Sequence, residues 1–430
     1  MSATPDDRAF SELVEDSFDE AAFLWRRWEQ ELTSPTRNID DVWSWTEDRL
    51  HGALEGVRIA GERLPEVVAD GLRSDEIGRV SASAALLASS AAPDAARVLA
   101  AALKTADGEM LRAIVRGIEL LGSGAAARAA IDVLLERGVT GAGELCRLKA
   151  FRRVSAGSEL TAAFESDDAE AQVNAMRAAG SLPMPHAQDW LTAGLRHPHP
   201  AVQYAAIESG IGRGIDAAWR AAQVRAQQLD TQSGPCLSLL ALLGGPADHE
   251  VIYSALRIPA LQRQAIWALG HIGTARAAES CVAGMQHEPL ARACGEAYCW
   301  ITGAELARDR LAREESLPEP PPFEEDDLDA DLVPPPEALW PLPDADAVRG
   351  HWRTCQPKMA EGARHLRGVP VSPEVQLATI ETGPMLRRPD LVLELRARSR
   401  GRYDVETRAF TSRQRQMMAA GRAALAGEAG

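Results

Sequence analysis

Small and apolar residues recur along this chain at helical spacing, and the recurrence itself repeats. From Leu261 they fall at Ala265, Ala268 and Leu269, with Gly270 placed to close a helix and Ile272 to pack beneath the turn. From Leu290, 29 positions later, the same offsets give Cys294, Ala297, Tyr298, Cys299 and Ile301. Offsets of three and four residues mark one face of a helix. A fixed period of this length marks stacked two-helix repeats. Equivalent anchors fall at Val80, Ala113, Ala171, Val202 and Pro235. The long gap between Ala113 and Ala171 holds two repeats, with a helix over 145–154 as the degenerate member. Glycine and proline punctuate the series at Gly122-Ser123-Gly124, Leu182-Pro183-Met184-Pro185, Gly210-Ile211-Gly212 and Gly244-Gly245-Pro246. Glycine tolerates the left-handed conformation that ends a helix, and proline cannot continue one. The pattern predicts a repeat array over 62–313.

The flanks read differently. Over 1–61 the pattern predicts a helical hairpin. Ala22, Phe23, Trp25 and Trp28 lie on one side of a first helix ending near Leu32. Ser34-Pro35 and Asn38 make the turn, and Asp40 or Asp41 caps a second helix carrying Val42, Thr46, Leu50, Ala53, Val57 and Ala60. Such a hairpin would close the open end of a repeat stack. The clustered tryptophans Trp25, Trp28, Trp43 and Trp45 admit a second reading, an aromatic patch that binds a partner. Residues 314–336 are acidic, proline-rich and free of basic residues, the composition of an extended linker. Over 337–430 the pattern predicts a mostly helical region. Its first helix starts near Asp346 and includes Val348, Trp352 and Cys355, and a Gly/Pro-bounded turn, GARHLRGVPV, follows over 362–371. Further helices are expected over 375–382, 390–398 and 410–425. Almost no segment has the alternation of a strand. The expected fold is all-α: an α-solenoid with an N-terminal helical cap and a mostly helical C-terminal region.

Composition sharpens this picture in three ways. The hydrophobic content of 46% is that of a soluble protein, and the aromatic content is only 5%. Alanine, the best helix former, takes up much of the difference. The net charge of −16 argues against a general nucleic-acid binder, which needs a basic footprint. Within that total, residues 337–430 hold 15 Lys and Arg against 11 Asp and Glu, so a mildly basic tail follows a strongly acidic body. The six cysteines form no C-x-x-C pair, and five fall in helical patterns, which points to free thiols in a reducing compartment. The polar, acidic start MSATPDDRAF is no signal peptide, and no apolar run approaches membrane-spanning length. A cytoplasmic location is expected.

The chemical candidates are weak. Gly122 to Ala127 match G-x-G-x-x-A, but a helical pattern precedes them where a dinucleotide site needs a strand. Asp327, Asp329 and Asp331 have the spacing of a calcium loop without its glycine or its terminal glutamate. His186, His197 and His199 lie near successive turns with no completing ligand. Arg396, Arg398, Arg400 and Arg402 crowd a short stretch that could contact phosphate, but Glu394, Asp404 and Glu406 flank it and a solvated helix end and loop is the reading preferred. Trp267, between the core positions Ala265 and Ala268, has the phase to face a groove, or to pack on the next repeat. No catalytic residue, metal site or cofactor is predicted. Trp25, Trp28, Trp267, Arg396, Arg398 and Arg400 are the candidate partner-binding residues.

Two resemblances add to this reading. LQRQAIWALGHIGTARA, and HPHPAVQYAAIESGIGRG in degenerate form, resemble the short HEAT-like repeats of bacterial proteins first noted in phycobilin lyases. The ordered series FLWRRW, DRLHGALEGVRIAG, GEAYCWITGAEL, the acidic proline-rich stretch, LPDADAVRGHW and GARHLRGVPV is similar to a bacterial family of HEAT-like repeat proteins. Genes of that family are often found in type VI secretion clusters. AYCWITG and GARHLRGVPV are its most specific parts. Toward the C-terminus the chain departs from the family pattern, since Arg387-Arg388 leads into LVLEL rather than an Ala/Leu helix. The resemblance implies a non-catalytic adaptor or chaperone-like role with a secretion effector or spike component as partner. The acidic body favours a basic protein partner, with neither membrane nor nucleic acid expected. The rival is an enzyme on the same architecture, of the DNA glycosylase or tetrapyrrole lyase type, because a fold does not fix a function.

Overall fold

The computed structural model describes residues 5–184, 186–314 and 336–426. The chain is all-α and repeat-like, with very little strand. It divides into two compact units, Met1–Trp219 with Pro384–Gly430, and Arg220–Gly383. The region read as one stretch over 337–430 thus contributes to both. The linker expected over 314–336, with Asp327, Asp329 and Asp331, lies outside the described residues apart from its two ends.

In the first unit, helices Ile77–Ser89, Gly108–Leu121, Gly138–Arg152, Ala169–Ser181 and Pro200–Gly212 stack side by side in one layer. Helices Ala95–Thr105, Ala125–Glu136, Ser158–Phe164 and Ala187–Gly194 pair with them from a second layer. Small residues set the spacing. A Cβ on Gly117 would meet the Ser81 carbonyl oxygen at 2.4 Å and the Ala85 nitrogen at 2.7 Å, so only glycine allows this approach between neighbouring helices.

The N-terminal hairpin is led by helix Pro5–Glu31. Its turn is capped by Asn38, not by Asp40 or Asp41. The Asn38 side chain accepts from the Asp40 and Asp41 amides at 2.8 and 3.0 Å, and Asp41 accepts from the Asn38 amide in return. The chain then makes a π-helical turn, Trp43–Glu47, before helix Asp48–Arg58. That turn places Glu47 inside, with no exposed surface.

Glu47 ties the hairpin to the far end of the chain. Its carboxylate accepts from the Thr411 amide at 2.9 Å, from the Thr411 hydroxyl at 2.8 Å, and from the Trp28 indole N–H at 2.9 Å. Thr411 opens helix Thr411–Ala426, so Glu47 supplies an anion to a helix N-terminus from another part of the sequence. Phe410 packs on the Trp28 ring at 4.8 Å. More contacts hold the same segment. The Met385 and Leu386 amides donate to the carbonyls of Arg37 and Ser34, Arg153 pairs with Asp404 at 2.7 Å, and buried Arg388 donates to Gln414 at 2.6 Å.

In the second unit, helices Gly234–Leu243, Gln262–Ile272 and Glu288–Thr302 stack in one layer, with Pro246–Ala255 and Ala275–Gly284 behind. The predicted turn over 362–371 contains an antiparallel hairpin, His365–Leu366 with Val369–Pro370. It crosses the carbonyl ends of the stacked helices. His365 N donates to Gly273 O at 2.8 Å, Arg367 N to Trp300 O at 2.8 Å and Gly368 N to Ile301 O at 2.9 Å, while the Arg364 side chain reaches Leu242 O. Gly273 and Gly303 have φ of 66° and 75°, and a Cβ on either would strike the hairpin backbone at 2.3 and 2.5 Å. The AYCWITG and GARHLRGVPV segments are therefore in direct contact.

Burial pushes the Glu47 carboxyl above its ordinary value of 4.5, against the pull of Thr411 and Trp28. A raised folded-state pKa gives a stability contribution that is complete below the unfolded pKa and lost as pH rises through the folded one. Glu47→Gln should cost about 1–3 kcal/mol near neutral pH, because one buried donor then faces an amide. Urea unfolding at two pH values should show the gap between wild type and variant widening as pH falls from neutrality toward 4.5. A gap that narrows would contradict this assignment.

Candidate binding grooves

Two grooves combine charge with aromatic surface, one in each unit. The first holds about 490 Å³ and is lined by Arg26, Arg112, Arg116, Arg147 and Arg408 together with Trp25. Glu29 and Glu109 are the acidic residues of its wall. These side chains come from helices Pro5–Glu31, Gly108–Leu121 and Gly138–Arg152 and from the C-terminal segment.

Arg116 is the floor of this groove. It is buried between the rings of Trp28 and Phe151, at 5.5 and 5.2 Å from their centres. It pairs with Glu29 at 2.6 Å and Glu119 at 3.2 Å, and donates to the Arg408 carbonyl at 2.5 Å. Burial alone would lower its pKa, but Glu29 and Glu119 carry it upward. Arg147 continues the network to Glu144 at 2.8 Å and Glu119 at 3.5 Å, and Arg112 holds Glu170 at 3.0 Å. Arg26 and Arg408 have no carboxylate within ion-pair distance among the described residues. Although Arg408 keeps solvent contact, protein crowds its guanidinium, so desolvation and then the Arg116 charge lower its pKa.

The second groove, about 380 Å³, runs across helices Gly234–Leu243, Gln262–Ile272 and Glu288–Thr302. Trp267 and Trp340 line it, and Arg263 pairs with Glu337 at its edge. Trp267 is half-buried while Ala265 and Ala268 are buried. Trp340 is 7% exposed, and its carbonyl accepts from Arg292.

The remaining predicted residues fall elsewhere. Trp25 and Trp28 are 1% and 0% exposed, in an edge-to-face pair 6.2 Å apart, so they cannot form the exposed aromatic patch considered for them. Trp45, 59% exposed under Arg37, is the tryptophan of that cluster most open to solvent. Arg396 points inward, donating to Gly180 O at 2.5 Å, and Arg398 pairs with Glu394 at 2.9 Å. Arg400 is exposed in a left-handed turn with φ of 53°. The three do not converge on one ligand.

The G-x-G-x-x-A loop gives its Ser123 and Gly124 amides to Ala88 O at 3.3 Å, which leaves neither for a phosphate. Among the described residues no group of His, Cys, Asp and Glu has metal-binding geometry. All six cysteines are free, and burial pushes the thiols of Cys146, Cys236, Cys294 and Cys299 up to about 12. Cys355 lies 3.3 Å from His351, whose Nδ1 meets the Tyr298 hydroxyl at 2.7 Å. Cys355 ends helix Ala345–Cys355.

No family model matches the chain, and the comparison with curated proteins finds no match. Among solved structures, the crystal structure of an engineered protein is similar at 18% identity, over 69% of this chain and 95% of that one, with a TM-score of 0.26. A likeness at that level carries no argument here. Among the described residues no helix is long and apolar enough to cross a membrane.

The arginine groove generates one stability prediction. Arg116→Met leaves buried Glu119 with less compensation and should cost about 3–5 kcal/mol, the usual penalty for breaking a buried ion network from one side. Chemical denaturation of the purified variant measures it. A loss under about 1 kcal/mol, the scale of an exposed pair, would show that the network carries no such load.

Proposed function

We propose that this chain is a non-catalytic, protein-binding scaffold. Its role is that of an adaptor or chaperone-like accessory for type VI secretion effectors or delivery components, as the family resemblance implies. The single observation that supports this best is the groove on the stacked helices of the first unit, where arginines from distant segments converge on a surface large enough for a few side chains. Stacked repeats bind through such surfaces because each repeat adds side chains to a shared face. The acidic body steers a partner that is basic overall, with association that weakens in salt. A cytoplasmic setting accords with the free, buried thiols.

The glycosylase-type reading needs a basic face with an aromatic residue and a carboxylate open to a base. The first groove has all three residue types. However, Trp25 is buried, and Glu29 is held by Arg116 at 2.6 Å. That arrangement favours binding over base excision.

Affinity capture from the native bacterium at two salt concentrations, read by mass spectrometry, tests the proposal. A secretion effector or spike component released at high salt is the expected result. Recovery of nucleic acid or a pigment-bearing substrate would overturn it.

A further inference from the structure

Within a protein of net charge −16, the first groove gathers arginines. Its wall carries five arginines against two glutamates. Three of the arginines, Arg112, Arg116 and Arg147, already hold carboxylates of the protein itself. Their guanidiniums are fixed in place by those pairs and by the aromatic rings around Arg116. Arg26 and Arg408 are different. They project from helix Pro5–Glu31 and from the C-terminal segment, with no carboxylate in ion-pair reach among the described residues. Trp25 lies almost wholly buried beneath the same groove and backs its wall.

We infer that this groove binds the carboxylates of an acidic peptide segment, with Arg26 and Arg408 as the primary contacts. Guanidinium groups match carboxylates in a bidentate fork, which gives orientation as well as affinity. The volume of about 490 Å³ admits a few side chains rather than a duplex. A duplex binds by having many phosphates neutralised at once, and this small groove offers too few unpaired arginines for that. A partner that is basic overall and acidic at the segment entering the groove satisfies both the body and the groove. The inference rests on the scaffold reading and names the chemistry of one contact within it.

The test uses the full chain and a labelled, acetylated oligoglutamate peptide, followed by fluorescence anisotropy. Short duplex DNA and oligolysine serve as competitors. The wild type should bind the peptide saturably and more weakly as salt rises. Arg26→Ala with Arg408→Ala should weaken binding by about tenfold or more. Arg128→Ala, on the exposed face of helix Ala125–Glu136 outside the groove, should leave it unchanged. Circular dichroism of each variant separates loss of contact from loss of fold. Equal binding by wild type and the double variant would overturn the inference, as would absence of saturable binding at millimolar peptide. Displacement by duplex DNA at lower concentration than by unlabelled peptide would transfer the groove to nucleic acid. A native protein partner retained equally by the double variant would remove this contact while leaving the scaffold reading intact.

Discussion

The carbonyl ends of stacked helices impose the constraint on which this structure depends. Every helix leaves its last carbonyls without intrahelical donors, and stacking brings several such ends into one row. Here later parts of the chain supply the donors. In the first unit, Arg213 reaches the carbonyls of Ala179 and Leu182, Arg396 reaches Gly180, and Arg413 reaches Phe151. In the second unit, the hairpin around His365 and Val369 serves the ends of three successive helices with backbone amides and Arg364. An arginine at a helix C-terminus adds favourable charge to the hydrogen bond. The segments that follow the repeats are thus part of the framework, not appendages to it.

Charge explains the same arrangement from the other side. The tail is basic and the body acidic, and within the first unit Arg415 pairs with Asp40 in that sense, while Arg153 with Asp404 joins the two in the opposite one. Glu47 completes the closure by placing a buried carboxylate at the start of helix Thr411–Ala426. What remains is the small region where the guanidiniums of Arg26 and Arg408 have no carboxylate within ion-pair distance among the described residues, although Glu119, Glu29 and Glu406 act on Arg408 from further away. The binding proposed for this region would gain from a rigid surround, which lowers the ordering cost.

The repeat helices were legible in the sequence because small residues at Ala265, Ala268 and Leu269, and their counterparts after Leu290, must all face one side. The contact between AYCWITG and GARHLRGVPV was not, although Gly303 and Gly368 mark the close approach; a single chain shows no pairing between distant segments. Trp25 and Trp28 have the same helical phase whether their face is covered or open, and what covers them, Phe410, lies far along the chain. Glu47 escaped notice because a glutamate between Thr46 and Asp48 reads as solvent-facing, and the π-helical turn that rotates it inward has no sequence signature here. The groove arginines are scattered over separate segments and so form no motif. One signal was present: Arg116 interrupts the apolar run LRAIVRGIELL at a position that the helical period places inside.

Native-state hydrogen exchange tests the central claim most directly, since it reads which segments open together. If the C-terminal segment is integral to the first unit, the amides of Met385, Leu386 and Thr411 should exchange with protection close to that of helix Gly108–Leu121. Rapid exchange of those amides while the repeat helices stay protected would contradict the account.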